Sequence, residues 1–164
     1  SDQTLENLTA TDPVSARTIA EGFAHWDDIA VTKDGHTVTS GGHGFIGIGR
    51  KRLLQILQAR AAELGVAMHF ETEFSSDLAE YADYDLVVAA DGVNSAVRGR
   101  YQDRFAVDID VRRNKFMWLG TRQQFDAFAF IFEHTPHGWM WAHAYRFDGE
   151  TSTFIVECSP ETWE

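Results

Sequence analysis

The chain has 164 residues, 44% of them hydrophobic and 24% charged, with a net charge of −11. Its length suits about one domain with a real core, and its acidity argues against a nucleic-acid backbone or an anionic membrane surface as partner. A single cysteine, Cys158, precludes an internal disulfide, no apolar run reaches the ~18 residues of a membrane span, and no secretory leader is legible, so a cytoplasmic setting is expected.

In chain order, the first clear element is IAVTKDGHTVTS, Ile29 to Ser40. Two alternating runs flank Asp34–Gly35, a pair that tolerates the positive φ of a tight hairpin turn. Gly42, Gly44 and Gly47 then spell G-x-G-x-x-G. A dinucleotide loop needs a buried parallel strand running into its first glycine, whereas the strand here is the polar second arm of a hairpin. These glycines are therefore not expected to be a pyrophosphate loop. Leu53, Leu54, Ile56, Leu57, Ala61 and Leu64 recur at helical spacing, and Gly65 stands where a C-terminal cap belongs. Two strands are expected next, an alternating one at Val66–Phe70 and a continuous apolar one at Asp85–Ala90.

Beyond Tyr101 four candidate strands follow one another: KFMWLGT, FAFIFE, WMWAHAYRF and TSTFIVEC. Short connections between consecutive strands predict an antiparallel meander. Alternation places Trp139, Trp141, His143, Tyr145 and Phe147 on one face, with Phe128, Phe130 and Phe132 aligned likewise and Phe116 aligned with Trp118. Such a face is either a packed layer or a flat aromatic wall for a planar ligand, with Trp141, His143 and Tyr145 as candidate pocket residues.

Nine of the 14 Lys and Arg residues fall in three runs: Arg50–Lys51–Arg52, Arg98–Arg100–Arg104 and Arg112–Arg113–Lys115. On an acidic chain these point to a small ligand carrying phosphates. No metal site is expected: Glu133, His134 and His137 are interrupted by Pro136, and no Cys-x-x-Cys or His-Glu-x-x-His pattern occurs. Cys158 lies within a strand pattern and reads as packing, and no residue is assigned a proton-transfer role.

The run DLVVAADGVNSAVR, Asp85 to Arg98, resembles the Asp-Gly motif of the single-component FAD-dependent aromatic hydroxylases, which share the p-hydroxybenzoate hydroxylase fold. The resemblance implies an α/β (α+β) architecture: part of a Rossmann-like FAD-binding domain at 1–104, then an antiparallel-sheet substrate domain at 105–164. It implies that Asp91, Gly92, Asn94, Ser95 and Arg98 serve the flavin, and that Arg50, opening the helix after GIG, lies near the flavin's ribityl or pyrophosphate portion. FAD is the implied cofactor, with NADH or NADPH as co-substrate. Further likeness in AHWDDI, GGHGFIGIGRKRLL, AHAYRFDGETSTFIVE and PETW is to the branch of salicylyl-CoA 5-hydroxylases and 2-aminobenzoyl-CoA monooxygenases. That branch implies an aromatic small-molecule substrate carried as a CoA thioester.

Two other activities fit the same resemblance, a flavin-dependent reductase or dehydrogenase and a tryptophan or indole hydroxylase. The chain is expected to be the middle of a longer protein, with the true G-x-G-x-x-G before Ser1 and the Gly-Asp flavin motif beyond Glu164. Lacking both, the isolated segment is expected to be flavin-free and inactive.

Overall fold

The computed structural model describes residues 2–164, and residue 1 of the expected first domain lies outside them. The described chain divides into two compact units, one made of the residues up to Ala67 together with Arg113–Glu164, the other of Met68–Arg112.

The larger unit opens with two helices that sequence patterning left unassigned, α1 (Asp2–Thr11) and α2 (Pro13–Gly22). Pro13 suits the first helical position, where its missing N–H costs nothing and its fixed φ is already helical. Asp12, just before it, accepts from Ser15 Oγ at 2.5 Å and from Arg60 Nε at 3.2 Å to each oxygen. Hydrogen bonding from Ser15, then the Arg60 guanidinium, holds the Asp12 carboxyl below the usual aspartate range. Arg60 belongs to α3 (Arg50–Glu63), the helix expected from the leucine spacing. Its one fully buried residue, Ile56, shares the interior with Ala16 and Ile19 of α2.

Between these helices run β1 (Ala24–Trp26), β2 (Ile29–Lys33), β3 (His36–Ser40) and β4 (Phe45–Gly47). β2 and β3 form the expected hairpin, with Asp34 (φ 50°) and Gly35 (φ 75°) both left-handed at its turn. β1 and β4 pair antiparallel as a separate two-stranded sheet. A Cβ on Gly47 would stand 2.8 Å from the Arg146 carbonyl oxygen and 2.9 Å from the Trp26 ring, so only glycine allows β4 to run this close.

The remaining strands are β5 (Lys115–Thr121), β6 (Phe128–Thr135), β7 (Gly138–Arg146) and β8 (Ser152–Cys158), followed by α6 (Pro160–Trp163). They join the hairpin in one six-stranded sheet of order β3-β2-β6-β7-β8-β5. Two features depart from the expected meander. β5 pairs with β8 rather than with its sequence neighbour β6, and β2 pairs with β6 in parallel, making the sheet mixed. The first places β5 at the sheet edge beside β8, the last strand in the sequence; the second unites segments about a hundred residues apart, for which local sequence carries no signal.

The smaller unit contains a short 3-10 turn (Leu78–Tyr81) and the helices α4 (Ala96–Arg100) and α5 (Gln102–Phe105). The Tyr101 hydroxyl accepts from the Leu78 amide at 2.9 Å, and Arg100 pairs with Asp77 at 2.6 Å. The strands expected at 66–70 and 85–90 are not formed. Leu86 and Val88 are 78% and 76% exposed, and Val66 and Phe70 are likewise exposed. An apolar run becomes a strand only when a neighbour takes its backbone hydrogen bonds, and among the described residues neither segment has such a neighbour.

Candidate functional site

The candidate site residues lie in both units. In the smaller unit, the Asp-Gly run forms a turn that opens α4. The Ser95 amide donates to the Gly92 carbonyl at 3.1 Å, and Gly92 takes φ 85°, a conformation that favours glycine. Asp91 Oδ2 accepts from the amides of Ala96 at 2.8 Å and Val97 at 3.4 Å, while Ser95 Oγ accepts from the Arg98 amide at 2.9 Å. The Arg98 guanidinium returns to the carbonyls of Gly92 and Val93, locking the turn. Asn94 is exposed within it. Hydrogen bonding from Ser95, then from the amides at the start of α4, holds Asp91 below the usual aspartate range.

That depression has a sign. A carboxylate whose folded value is lowered contributes stability above its unfolded value and loses it as pH falls through the folded one. The Ala96 and Val97 amides are therefore expected to stay protected from hydrogen exchange at neutral pH and to lose protection below the usual aspartate range. Asp91→Asn should remove that pH dependence.

The turn borders a cleft of about 670 Å³ that also takes in Val87, Val88 and Phe105. Arg50, in the larger unit, is the first residue of α3 and is exposed. Its N-cap is Gly49, which offers no side-chain cap, so the first amides of a 14-residue helix stand beside Arg50, Lys51 and Arg52. Both groups fit a flavin nucleotide chemically: the helix start suits phosphate, and the Asp91 carboxylate has acceptor capacity left for a sugar hydroxyl.

The remaining candidates lie on one face of the six-stranded sheet. Register places Phe130 opposite His143 and Phe132 opposite Trp141, and it places Glu157 opposite Trp141 and Ile155 opposite His143. Phe116 and Trp118 of β5 stand opposite Glu157 and Ile155, while Val31 of β2 stands beside Phe130. The alternation read within each strand thus combines across five strands into one aromatic face; only Phe147 falls outside, beyond the end of β7. At one end the two-stranded sheet covers this face. Trp26 stacks on Tyr145 at 5.9 Å between ring centroids, and Phe45 meets Phe128 at 5.4 Å. Toward β5 the face is open, with Phe116 62% and Trp118 65% exposed. Near the turn joining β6 and β7, a cleft of about 580 Å³ is bordered by Phe132, Trp139 and Trp141.

Of the sequence-derived candidates, Trp141, His143 and Tyr145 share this face, and Asp91, Gly92, Asn94, Ser95 and Arg98 share one turn. Sequence reasoning missed Trp26 and Phe45, which cap the wall, and Glu157, which stands within it. Alternation in TSTFIVEC groups Glu157 with Ile155, but which way that face points depends on pairing with β7. Cys158 is 5% exposed and takes the opposite face from Glu157, as packing requires. Among the described residues no group of three or more His, Cys, Asp or Glu side chains is arranged to hold a metal ion, and no helix is long and apolar enough to cross a membrane.

No protein-family model matches the chain. Individual proteins do. It is 42% identical over 163 residues to the salicyloyl-CoA 5-hydroxylase of a Streptomyces species, covering 99% of this chain and 31% of that protein. It is 38% identical over 122 residues to protodeoxyviolaceinate monooxygenase of Chromobacterium violaceum, covering 71% of this chain and 31% of that one. Over most of its length the chain is similar to proteins named as a hydroxylase and a monooxygenase. A third relative, 3-hydroxy-4-methyl-anthranilyl-[aryl-carrier protein] 5-monooxygenase of Streptosporangium sibiricum, is 31% identical over 153 residues, with 93% of this chain and 42% of its own length covered. The chain spans about a third of the length of the first curated relatives it matches.

The fold agrees. PqsL of Pseudomonas aeruginosa, a probable FAD-dependent monooxygenase, superposes with a TM-score of 0.68 at 16% identity, over 96% of this chain and 49% of that one. PqsL in complex with 2-aminobenzoylacetate superposes with a TM-score of 0.62 at 17% identity, over 94% and 48%. At that identity the likeness speaks for the fold alone.

Proposed function

We propose that the complete protein is an FAD-dependent monooxygenase that hydroxylates an activated aromatic ring, with an aryl-CoA thioester as substrate and NADH or NADPH as electron donor. The observation that carries the reading is the aromatic face running from Phe116 and Trp118 through Phe130, Trp141 and His143 to Tyr145, closed at one end and open at the other. Relatives acting on salicyloyl-CoA and on an anthranilyl group held by a carrier protein support a thioester-borne ring as ligand. Absence of a membrane-spanning helix among the described residues is in keeping with a cytoplasmic enzyme.

Flavin, when bound, supplies oxygen activation, one atom of O2 entering the ring and the other leaving as water with the electrons of NAD(P)H. The chain's own residues do the rest. Within residues 1–104, the Arg50 end of α3 suits phosphate oxygens, and Asp91, Gly92, Asn94, Ser95 and Arg98 form a rigid turn suited to the sugar side. Rigidity matters because a group pinned by its own backbone loses little freedom when the ligand arrives. Residues 105–164 serve the substrate: Trp141 and its aromatic neighbours hold the ring flat, while His143 and Tyr145 offer polar edges. An apolar wall also keeps water from the reacting ring, which protects a short-lived oxidant from wasteful decay.

The test is to purify the complete protein and titrate an aryl-CoA thioester into it. Copurifying FAD whose absorption spectrum shifts on saturable binding of the thioester is expected. A flavin-free protein, or one whose flavin ignores aromatic ligands, would overturn the proposal.

A further inference from the structure

One feature of the aromatic face is out of keeping with its apolar surroundings. His143 Nδ1 and Glu157 Oε1 face each other at 3.9 Å, with the side chains 21% and 24% exposed. Around them stand Trp141 and Phe116, which flank Glu157 across the strands, and Phe128 and Phe130, whose rings lie 6.1 Å from the His143 ring. At 3.9 Å the two are close but too far apart for a hydrogen bond. Among the described residues none donates a hydrogen bond to Glu157, so its carboxylate oxygens are free to accept from a ligand. The pair is also reachable, since the wall is open on the β5 side where Phe116 and Trp118 are exposed.

We propose that Glu157, oriented by His143, is the polar anchor of the wall and selects aromatic ligands that carry a hydrogen-bond donor on the ring, a phenolic hydroxyl or an aryl amine. This rests on the wall being the substrate surface. An ionised carboxylate can only accept, so the ring substituent it recognises must donate. A hydroxyl or amino group satisfies Glu157 while the ring lies against Phe130 and Trp141. A methoxy group in the same place leaves the carboxylate unpaired, and sites built to receive a donor discriminate strongly against analogues that lack it. Glu157 is thus a binding residue and His143 a positioning residue. The same substituents enrich the ring in electrons, so the anchor admits the rings that an electrophilic hydroxylation needs.

The test uses the complete flavin-loaded protein, with salicyloyl-CoA and its O-methyl ether, 2-methoxybenzoyl-CoA, as probes and tryptophan fluorescence quenching as readout. Wild-type protein is expected to bind the hydroxyl ligand tighter by about tenfold or more, and Glu157→Met, which removes the acceptor but fits an apolar face, to bring the two affinities within about threefold while leaving the ether's unchanged. Unchanged affinity for the ether separates loss of recognition from loss of structure. Glu157→Gln, which keeps an acceptor oxygen but not the charge, is expected to retain part of the preference. Retention of the wild-type preference in Glu157→Met, or equal weakening of both ligands, would overturn the anchor. Trp118→Ala and Phe130→Ala distinguish the two failures: if both bind both ligands as wild type does, the wall is not the substrate surface and the anchor falls with it.

Discussion

Trp26→Ala is expected to be the most destabilising single substitution in the larger unit, costing about 3–5 kcal/mol. The indole is 6% exposed and lies between Phe45, at 6.3 Å and 17°, and Tyr145, at 5.9 Å and 25°. It is the link through which the β1–β4 pair closes one end of the aromatic face. Its truncation leaves a cavity that Gly47 and the Arg146 carbonyl, already close to the ring or to its neighbour, cannot fill without moving backbone. For a chain of this size the loss corresponds to a fall in melting temperature on the order of 10 °C. The Trp26 Nε1 is buried without a hydrogen-bond partner, so Trp26→Phe removes an unsatisfied donor along with part of the ring and should cost distinctly less. Thermal unfolding of the three proteins checks the order. Equal losses for Ala and Phe would mean that the stack contributes little.

The second large effect concerns the flavin. Asp91→Ala in the complete protein is expected to weaken FAD affinity by about one to two orders of magnitude, the worth of a hydrogen bond to a charged acceptor. It acts twice: the sugar-side acceptor disappears, and the Ala96 and Val97 amides lose the carboxylate that fixes the turn. Asp91→Asn keeps an acceptor oxygen and is expected to fall between wild type and alanine. Dissociation constants from flavin fluorescence check the series. An alanine variant that holds FAD as wild type does would remove Asp91 from the flavin site.

Sequence legibility followed the range of the interactions involved. The Asp34–Gly35 hairpin and the leucine-spaced helix are set by residues within a few positions of one another, and the structure has both. Alternation in β7 was equally local, which is why Trp141, His143 and Tyr145 were correctly placed on one face. What covers that face was not legible, because Trp26 and Phe45 reach it from the other end of the chain. Nor was the position of Glu157, since a strand's period shows which residues share a side but not what that side meets. The apolar run at 85–90 was read as a buried strand from composition alone. Composition states what a segment can bury; a partner decides whether it does.

The account turns on one reaction. NADH and NADPH oxidation by the complete protein should be followed in oxygenated buffer with and without salicyloyl-CoA or 2-aminobenzoyl-CoA, with the aromatic product identified by mass. A rise in oxidation rate on adding a thioester, with one hydroxyl gained by the ring for each NAD(P)H consumed at full coupling, is the predicted result. Oxidation indifferent to every aromatic ligand, or a ring returned reduced or unchanged, would contradict it.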